Sequence, residues 1–285
     1  MILIVGGTGA LGSAVARRLL AQERAVRIMT RTPQKAGELQ ELGAEVVQGD
    51  LRDKASLARA CQDVSVVIAA AHSVMGNGSD ASKYVDDRGH KWLIDAAKAA
   101  GVERFVYTSA LVADPDSSVP FFHIKYEIEQ YLRHNGLEFV ILRPTAFMES
   151  HAYMLIGQPI LENGKVTLFG PGENPRNFVA ADDVARFVLI ALDDPRTTGR
   201  VIAVGGPDNR SNMQVVALYE DIVARKVKVS HVPLGMLRLM SPLLRPFQPG
   251  LSQVMQVGIL NETTDQTFDM SETLQQYPMT LTRLE

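Results

Sequence analysis

The chain has 285 residues, 46% of them hydrophobic, a formal net charge of −3 at pH 7 and a single cysteine. This length suits one large α/β domain with a smaller lobe, or two domains, and a near-neutral balance without a basic block gives no electrostatic grip on nucleic acid. Cys61 alone excludes an internal disulfide and any cysteine-rich zinc or iron–sulfur site. With no apolar stretch of membrane-spanning length and no secretion signal, a cytoplasmic protein without a membrane span is expected.

The apolar run Ile2-Leu3-Ile4-Val5 suits a strand buried on both faces, and it leads directly into Gly6-Gly7-Thr8-Gly9-Ala10-Leu11-Gly12 and a helical pattern at about 10–21. Gly7, Gly9 and Gly12 satisfy G-x-G-x-x-G, while Gly6, Gly9 and Gly12 satisfy G-x-x-G-x-x-G. Between a strand and a helix, such glycines let the chain turn sharply, let a pyrophosphate approach bare backbone, and let the helix pack close to its strand. The helix N-terminus then faces the phosphates. Further strands are predicted at 25–30, 44–48, 64–70, 103–108 and 138–143, alternating with helices at about 33–42, 54–61, 84–100 and 121–135. That alternation implies an α/β fold: a Rossmann-like, doubly wound parallel sheet with helices on both faces. Gly43, Gly101 and Gly136 each follow a helical pattern, where a left-handed residue ends the helix.

Beyond Arg143-Pro144 the rhythm loosens, with short strands at about 165–169 and 200–204 and helices near 182–193 and 212–225, the last capped by Ser211. Asp182 and Asp183 read as a first helical turn, where carboxylates face the positive end of the dipole, in preference to an acid–base couple. Segment 234–260 is rich in Leu, Met, Pro and Phe without a clean period; it lines an apolar pocket or caps the core. His90, His151 and His231 lack a metal-ligand spacing, and no metal is predicted. The domain reading is a dinucleotide-binding domain over 1–150, with about 177–205 returning to it, and a smaller C-terminal lobe mainly over 151–285. Either a monomer or a dimer is compatible with it.

An acid about 20 residues beyond the glycines would bind the ribose of NAD. Here the second strand ends instead in Arg31-Thr32-Pro33-Gln34-Lys35, and cations Arg31 and Lys35 suit a 2′-phosphate. NADP(H) is therefore read over NAD(H), the alternative being two solvated cations at a helix start. Asp50, after the third strand, is placed at the adenine amine with Leu51 against the ring; its rival role is an N-cap of the next helix. The fourth strand delivers Ala69, Ala70 and Ala71 to the carboxyl edge where a cofactor runs closely past, with His72 near the ribose or pyrophosphate.

Gly6 to Gly12, Thr30-Arg31, Gly49-Asp50-Leu51, Val106-Tyr107-Thr108-Ser109, Phe122-His123-Ile124-Lys125, Leu142-Arg143-Pro144, Phe147-Met148-Glu149 and Ala181-Asp182-Asp183-Val184-Ala185 together resemble the atypical short-chain dehydrogenase/reductases, most closely the NmrA-like and isoflavone-reductase-like group. The likeness spans the chain. That family relies on Ser, Tyr and Lys, with Tyr four residues before Lys. Lys125 resembles that lysine, yet position 121 is Phe121, which has no hydroxyl to exchange a proton. Tyr126 and Tyr131 stand at the wrong helical angles to replace it.

The resemblance implies a catalytic set of Ser109, His123 and Lys125, with Lys125 also on the nicotinamide ribose and its charge beside an oxyanion. Thr108 lies at the same edge, Pro144 and Thr145 flank the nicotinamide, and Phe147 supplies apolar wall. Plainer readings stay open: Lys125 as an exposed helical lysine paired with Glu129, His123 as a packing residue, and Ser109 bonded to backbone. Two functions follow from the resemblance. One is an NADPH-dependent reductase passing hydride to an apolar conjugated acceptor such as a quinone. The other is a non-catalytic NADP(H)-binding sensor or assembly protein that acts on a protein partner.

Overall fold

The computed structural model describes all 285 residues. In chain order the elements are β1 (Ile2–Val5), α1 (Ala10–Ala21), β2 (Val26–Thr30), α2 (Gly37–Glu41), β3 (Glu45–Gln48), α3 (Lys54–Ala60), β4 (Val66–Ala69), α4 (His90–Ala99), β5 (Arg104–Thr108), α5 (Pro120–Asn135) and β6 (Glu138–Pro144). There follow β7 (Ala146–Phe147), α6 (Gln158–Asn163), β8 (Lys165–Phe169), β9 (Arg176–Val179), α7 (Ala181–Asp193), β10 (Val201–Val204), β11 (Asn209–Arg210), α8 (Asn212–Val223), β12 (Lys228–Val232), α9 (Leu234–Leu244), α10 (Pro249–Thr263) and α11 (Ser271–Gln276). Two π-helical stretches, Lys83–Gly89 and Met148–Gly157, lead into α4 and α6.

The chain forms two compact units, one of Met1–Arg143 with Val184–Ala203, the other of Pro144–Asp183 with Val204–Glu285. The first holds a sheet in the order β10-β6-β5-β4-β1-β2-β3, with parallel register from β6 through β3. β1 is buried at all four positions because helices cover both faces. On one face Leu3, Val5, Leu57, Leu93, Ile94, Phe105, Tyr107, Ile128 and Leu132 make the core between sheet and helices. The helix ends follow local rules: Pro120 opens α5, whose register then stops at Gly136, with φ +89°. Gly43 and Gly101 are likewise left-handed.

Two predicted helices differ in detail. The segment 33–42 starts as a 3₁₀ turn, Pro33–Ala36, before α2, and 84–100 starts as the π-helical stretch before α4. The first segment of the first unit ends at Arg143, ahead of position 150, and the segment returning to it is Val184–Ala203.

The second unit contains two small sheets, β11-β9-β7 and β12-β8, around Met148, Ile156, Ile160, Val166, Leu168, Phe178, Val215 and Val216. Ser211 and Gln214 form a reciprocal capping box at the start of α8. Asp182 and Asp183 do lie in the first turn of α7, and buried Asp183 also accepts the N–H of Thr282 at 2.7 Å and its hydroxyl at 3.0 Å. Segment 234–260 forms α9 and α10, and α9 buries only Leu237 and Ser241. No helix is long and apolar enough to cross a membrane.

Candidate functional site

The first unit switches direction at β1, since β2 and β3 add on one side and β4, β5 and β6 on the other. Such a switch leaves a crevice at the carboxyl edge. Gly6 has φ +91°, and a Cβ there would lie 2.7 Å from the Ala71 nitrogen and 2.9 Å from the Ala70 carbonyl carbon. A side chain is thus excluded both by conformation and by the neighbouring strand end. At Gly12 a Cβ would fall 2.2 Å from the Gly6 carbonyl oxygen, so this glycine sets how closely α1 approaches the turn.

Gly9 is different. A Cβ there would meet only the Gly6 oxygen, at 3.4 Å, and both Gly9 and Ala10 are exposed. The fold itself does not require a bare backbone at this position, whereas a ligand lying on it would. Gly9 caps α1 without a side-chain bond and no acid occupies the first turn, so the helix offers free N–H groups and a positive dipole end to an anion. Thr8 stands half-buried beside them, Gly7 packs on Ile28, and Leu11 turns into the core, so Leu11 can contribute only through its backbone. This cradle fits a dinucleotide pyrophosphate.

At the end of β2, Arg31 and Lys35 are both exposed. Arg31 Nη1 lies 3.2 Å from Asp80 Oδ1. The rival role of Asp50 as an N-cap needs correction. Asp50 does not cap α3; Asp53 does, accepting the N–H of Ala55 at 2.9 Å. The Asp50 carboxylate is gripped by Arg52 at both oxygens, at 2.9 Å through Nε and 2.5 Å through Nη2, which holds the carboxyl below its ordinary range and leaves its remaining lone pairs to face an amine. Leu51 turns its side chain into the core, where it packs on Gly89. Ala69 is buried in the sheet, Ala70 and Ala71 back the glycine turn, and exposed His72 meets Phe121 edge-on at 6.0 Å between centroids.

Beside this edge lies a buried cluster of charges. Lys125 is 4% exposed, and its Nζ donates to the Thr108 carbonyl at 2.8 Å while resting 4.8 Å from the Tyr107 ring and 5.5 Å from that of Phe121. It is therefore no surface lysine. Burial pushes it down to about 8, against the opposing pull of Asp86 and Glu129, so the ammonium still predominates at neutral pH. Glu129 is not its partner, because both carboxylate oxygens are taken by Arg143, at 2.9 and 2.7 Å. Ser109 donates to the same carboxylate at 2.5 Å, which assigns its hydroxyl to a side chain and not to backbone.

Beneath Lys125, fully buried Asp86 accepts from the Ser82 hydroxyl at 2.6 Å and from the Ser73 N–H at 3.1 Å, and burial raises its pKa. His90 Nδ1 faces the carbonyl oxygens of Asp86 and Val85, at 3.0 and 3.2 Å, and burial pushes the ring down to about 3. The remaining His90 nitrogen, the Tyr107 hydroxyl and the Thr108 hydroxyl are buried without a partner. Spaced four apart, Asp86 and His90 carried a helical signal; Tyr107 carried none beyond a strand aromatic.

The structure does not bring His123 to this cluster. It lies on the exposed side of α5, two residues and about 200° round from Lys125, with Nδ1 2.8 Å from the Pro115 carbonyl oxygen. Tyr131 donates to Asp95 at 2.7 Å, so it is no substitute for a phenol at 121. Pro144 ends β6, while Thr145 and Phe147 belong to the second unit, where Thr145 donates to Asn177 at 3.0 Å and Phe147 pairs with Val179. No group of three or more His, Cys, Asp or Glu side chains could hold a metal.

The chain matches the model of the NmrA-like family over residues 1–279. It is 30% identical to the photosystem II assembly factor Ycf39 of Trieres chinensis, covering 100% of this chain and 90% of that one. An NAD(P)H azoreductase of Xenophilus azovorans is 31% identical, covering 80% of this chain and 76% of its own. In fold, a crystal structure of an NADPH-dependent quinone oxidoreductase from Escherichia coli superposes with a TM-score of 0.77 at 24% identity, over 100% of this chain and 97% of that one.

Proposed function

Because this chain belongs to the NmrA-like family, we propose that it is an NADPH-dependent oxidoreductase passing hydride to an apolar conjugated acceptor such as a quinone. One observation carries the reading: an open glycine cradle stands on the same sheet edge as a buried cationic Lys125, with Phe121 and no phenol four residues before it. The reduced nicotinamide, when bound, supplies the hydride. Lys125 spends one N–H on Thr108, which fixes the ammonium and leaves donors for ribose hydroxyls and for an oxyanion developing nearby. Its low-dielectric surroundings strengthen that interaction.

Phe121 has no hydroxyl to donate, and the Tyr107 phenol beside Lys125 is fully buried. Reduction of an ordinary ketone loses roughly 10²- to 10⁴-fold without a positioned acid, whereas a conjugated acceptor takes hydride and collects its proton from water. The names of the azoreductase and quinone oxidoreductase relatives support acceptors of this kind. Exposed Arg31 and Lys35, where an acid would favour NAD(H), support NADP(H).

The test is NADPH oxidation by the pure protein against a panel of quinones, azo dyes and simple ketones, with cofactor binding followed by fluorescence. Saturable turnover with the conjugated acceptors alone is the expected result. Tight NADPH binding with no turnover would sink the reductase reading in favour of an assembly or sensor role. That second reading has its own support: Met236, Leu239 and Leu243 form an apolar stripe along α9 that is 50 to 67% exposed, and Phe247 beyond it is 81% exposed. An apolar surface of this kind suits a protein partner, and the likeness to Ycf39 points the same way.

A further inference from the structure

Two arginines converge on one carboxylate oxygen. Arg52 Nη1 lies 2.5 Å and Arg31 Nη1 3.2 Å from Asp80 Oδ1. The opposite edge of the Arg52 guanidinium is fixed by Asp50, so Nη1 is presented outward, and it also donates to the Ser79 hydroxyl at 3.0 Å. Two guanidiniums around a single anionic oxygen form a donor set that suits phosphate at least as well as carboxylate. Arg31 is 57% and Asp80 43% exposed, so one anion can replace another here without disturbing the core.

Asp80 also sits on a segment whose two ends are tied. Ser73 and Ser82 both bond the buried carboxylate of Asp86, and the Ser73 hydroxyl donates to the Asp80 carbonyl at 2.6 Å. Between those ties, Met75, Asn77, Gly78 and Ser79 are exposed. The contacts of Asp80 and Ser79 with the arginines hold this end of the stretch towards the end of β2.

We propose that Arg52, oriented by Asp50, is a second specificity-determining cation for the 2′-phosphate of the dinucleotide, and that Asp80 is an internal anion occupying the clamp until that phosphate displaces it. The inference rests on the NADP(H) reading above. It gives the clamp two states. With NADPH the arginines hold the phosphate and Ser79 and Asp80 are released; with NADH, which lacks the phosphate, Asp80 stays in place.

The test is binding of NADPH, NADH and the fragment 2′,5′-ADP to wild type, Arg52→Gln and Asp80→Asn by calorimetry at low salt. Arg52→Gln is expected to weaken NADPH and 2′,5′-ADP by about tenfold or more and to leave NADH within about twofold, as loss of a charge-assisted phosphate contact requires. Asp80→Asn is expected to tighten NADPH severalfold while leaving NADH unchanged. In the wild type, amide exchange over 74–82 should rise with NADPH and not with NADH, a readout that needs no variant to fold. Equal losses for both dinucleotides in Arg52→Gln, or exchange over 74–82 that ignores the 2′-phosphate, would overturn the clamp alone. A wild type that binds neither NADPH nor 2′,5′-ADP would overturn the NADP(H) reading and the clamp with it.

Discussion

Lys125 rests its ammonium 4.8 Å from the ring of Tyr107 and 2.8 Å from the Thr108 carbonyl oxygen, while Glu129, one turn further along the same helix, gives its carboxylate to Arg143 and Ser109. Two charges that local spacing would pair are thus kept for different tasks. Glu129 and Arg143 tie α5 to β6. Lys125 stays cationic in a place where burial opposes it.

That opposition makes the site sensitive to mild alkali. With Lys125 pushed down to about 8, its positive charge fades as pH rises through that value. Affinity for NADPH and turnover with a quinone should both fall along a single titration near pH 8, and Lys125→Met should lie low and flat across the same range. A wild-type profile unchanged to pH 9.5 would remove the charge from the mechanism.

The same shift makes a stability prediction of opposite sense. An unfolded lysine titrates near its model value of 10.5 and the folded one near 8, so between those values the unfolded chain binds more protons. Stability contributed by this group therefore rises with pH across that window. Urea unfolding at pH 7.5 and pH 10 should show the wild type gaining on Lys125→Met, by up to about 3 kcal/mol for a full shift of this size. No pH-dependent difference between the two proteins would mean Lys125 is not held in a desolvated state.

Gly9 and Gly12 should separate binding from folding. Gly12→Ala would drive a Cβ to within 2.2 Å of the Gly6 carbonyl oxygen and 2.7 Å of the Gly7 Cα, so the thermal midpoint should collapse. Gly9→Ala meets nothing nearer than 3.4 Å and has an extended backbone that alanine adopts, so it should cost under about 1 kcal/mol as an N-cap change while lowering dinucleotide affinity sharply. Scanning calorimetry with and without NADPH distinguishes the two.

Glu129 is fully buried and bonded through both oxygens. Glu129→Ala leaves the Arg143 guanidinium and the Ser109 hydroxyl without their acceptor, a loss expected to cost about 3 kcal/mol or more. Glu129→Gln keeps one acceptor oxygen and should cost less. Chemical denaturation of the two variants in parallel checks the order, and equal stabilities would show that the acceptor oxygen kept by glutamine contributes nothing.

Much of the first unit was legible because its signals are local. A four-residue apolar strand running into spaced glycines, the alternation of short apolar runs with helical patterns, and the glycines at 43, 101 and 136 each specify a backbone conformation within a few residues of themselves. Arg31 and Lys35 were visible for the same reason, since they follow directly on a strand end.

The rest needed contacts between residues far apart in the chain. Gly6 is confined by Ala70 and Ala71, Arg52 meets Asp80 across 28 positions, and Ser109 meets Glu129 across 20. The resemblance grouped His123 with Lys125, but packing of α5 on the sheet decided that Lys125 goes in and His123 stays out. The apolar stretch at 234–260 carried no period because α9 buries one narrow face and leaves Met236, Leu239 and Leu243 in solvent. Sequence by itself determined which backbone turns and which chemical groups this chain owns. Burial, which depends on every neighbour at once, decided which of those groups hold a proton, which hold each other, and which remain free to meet a ligand.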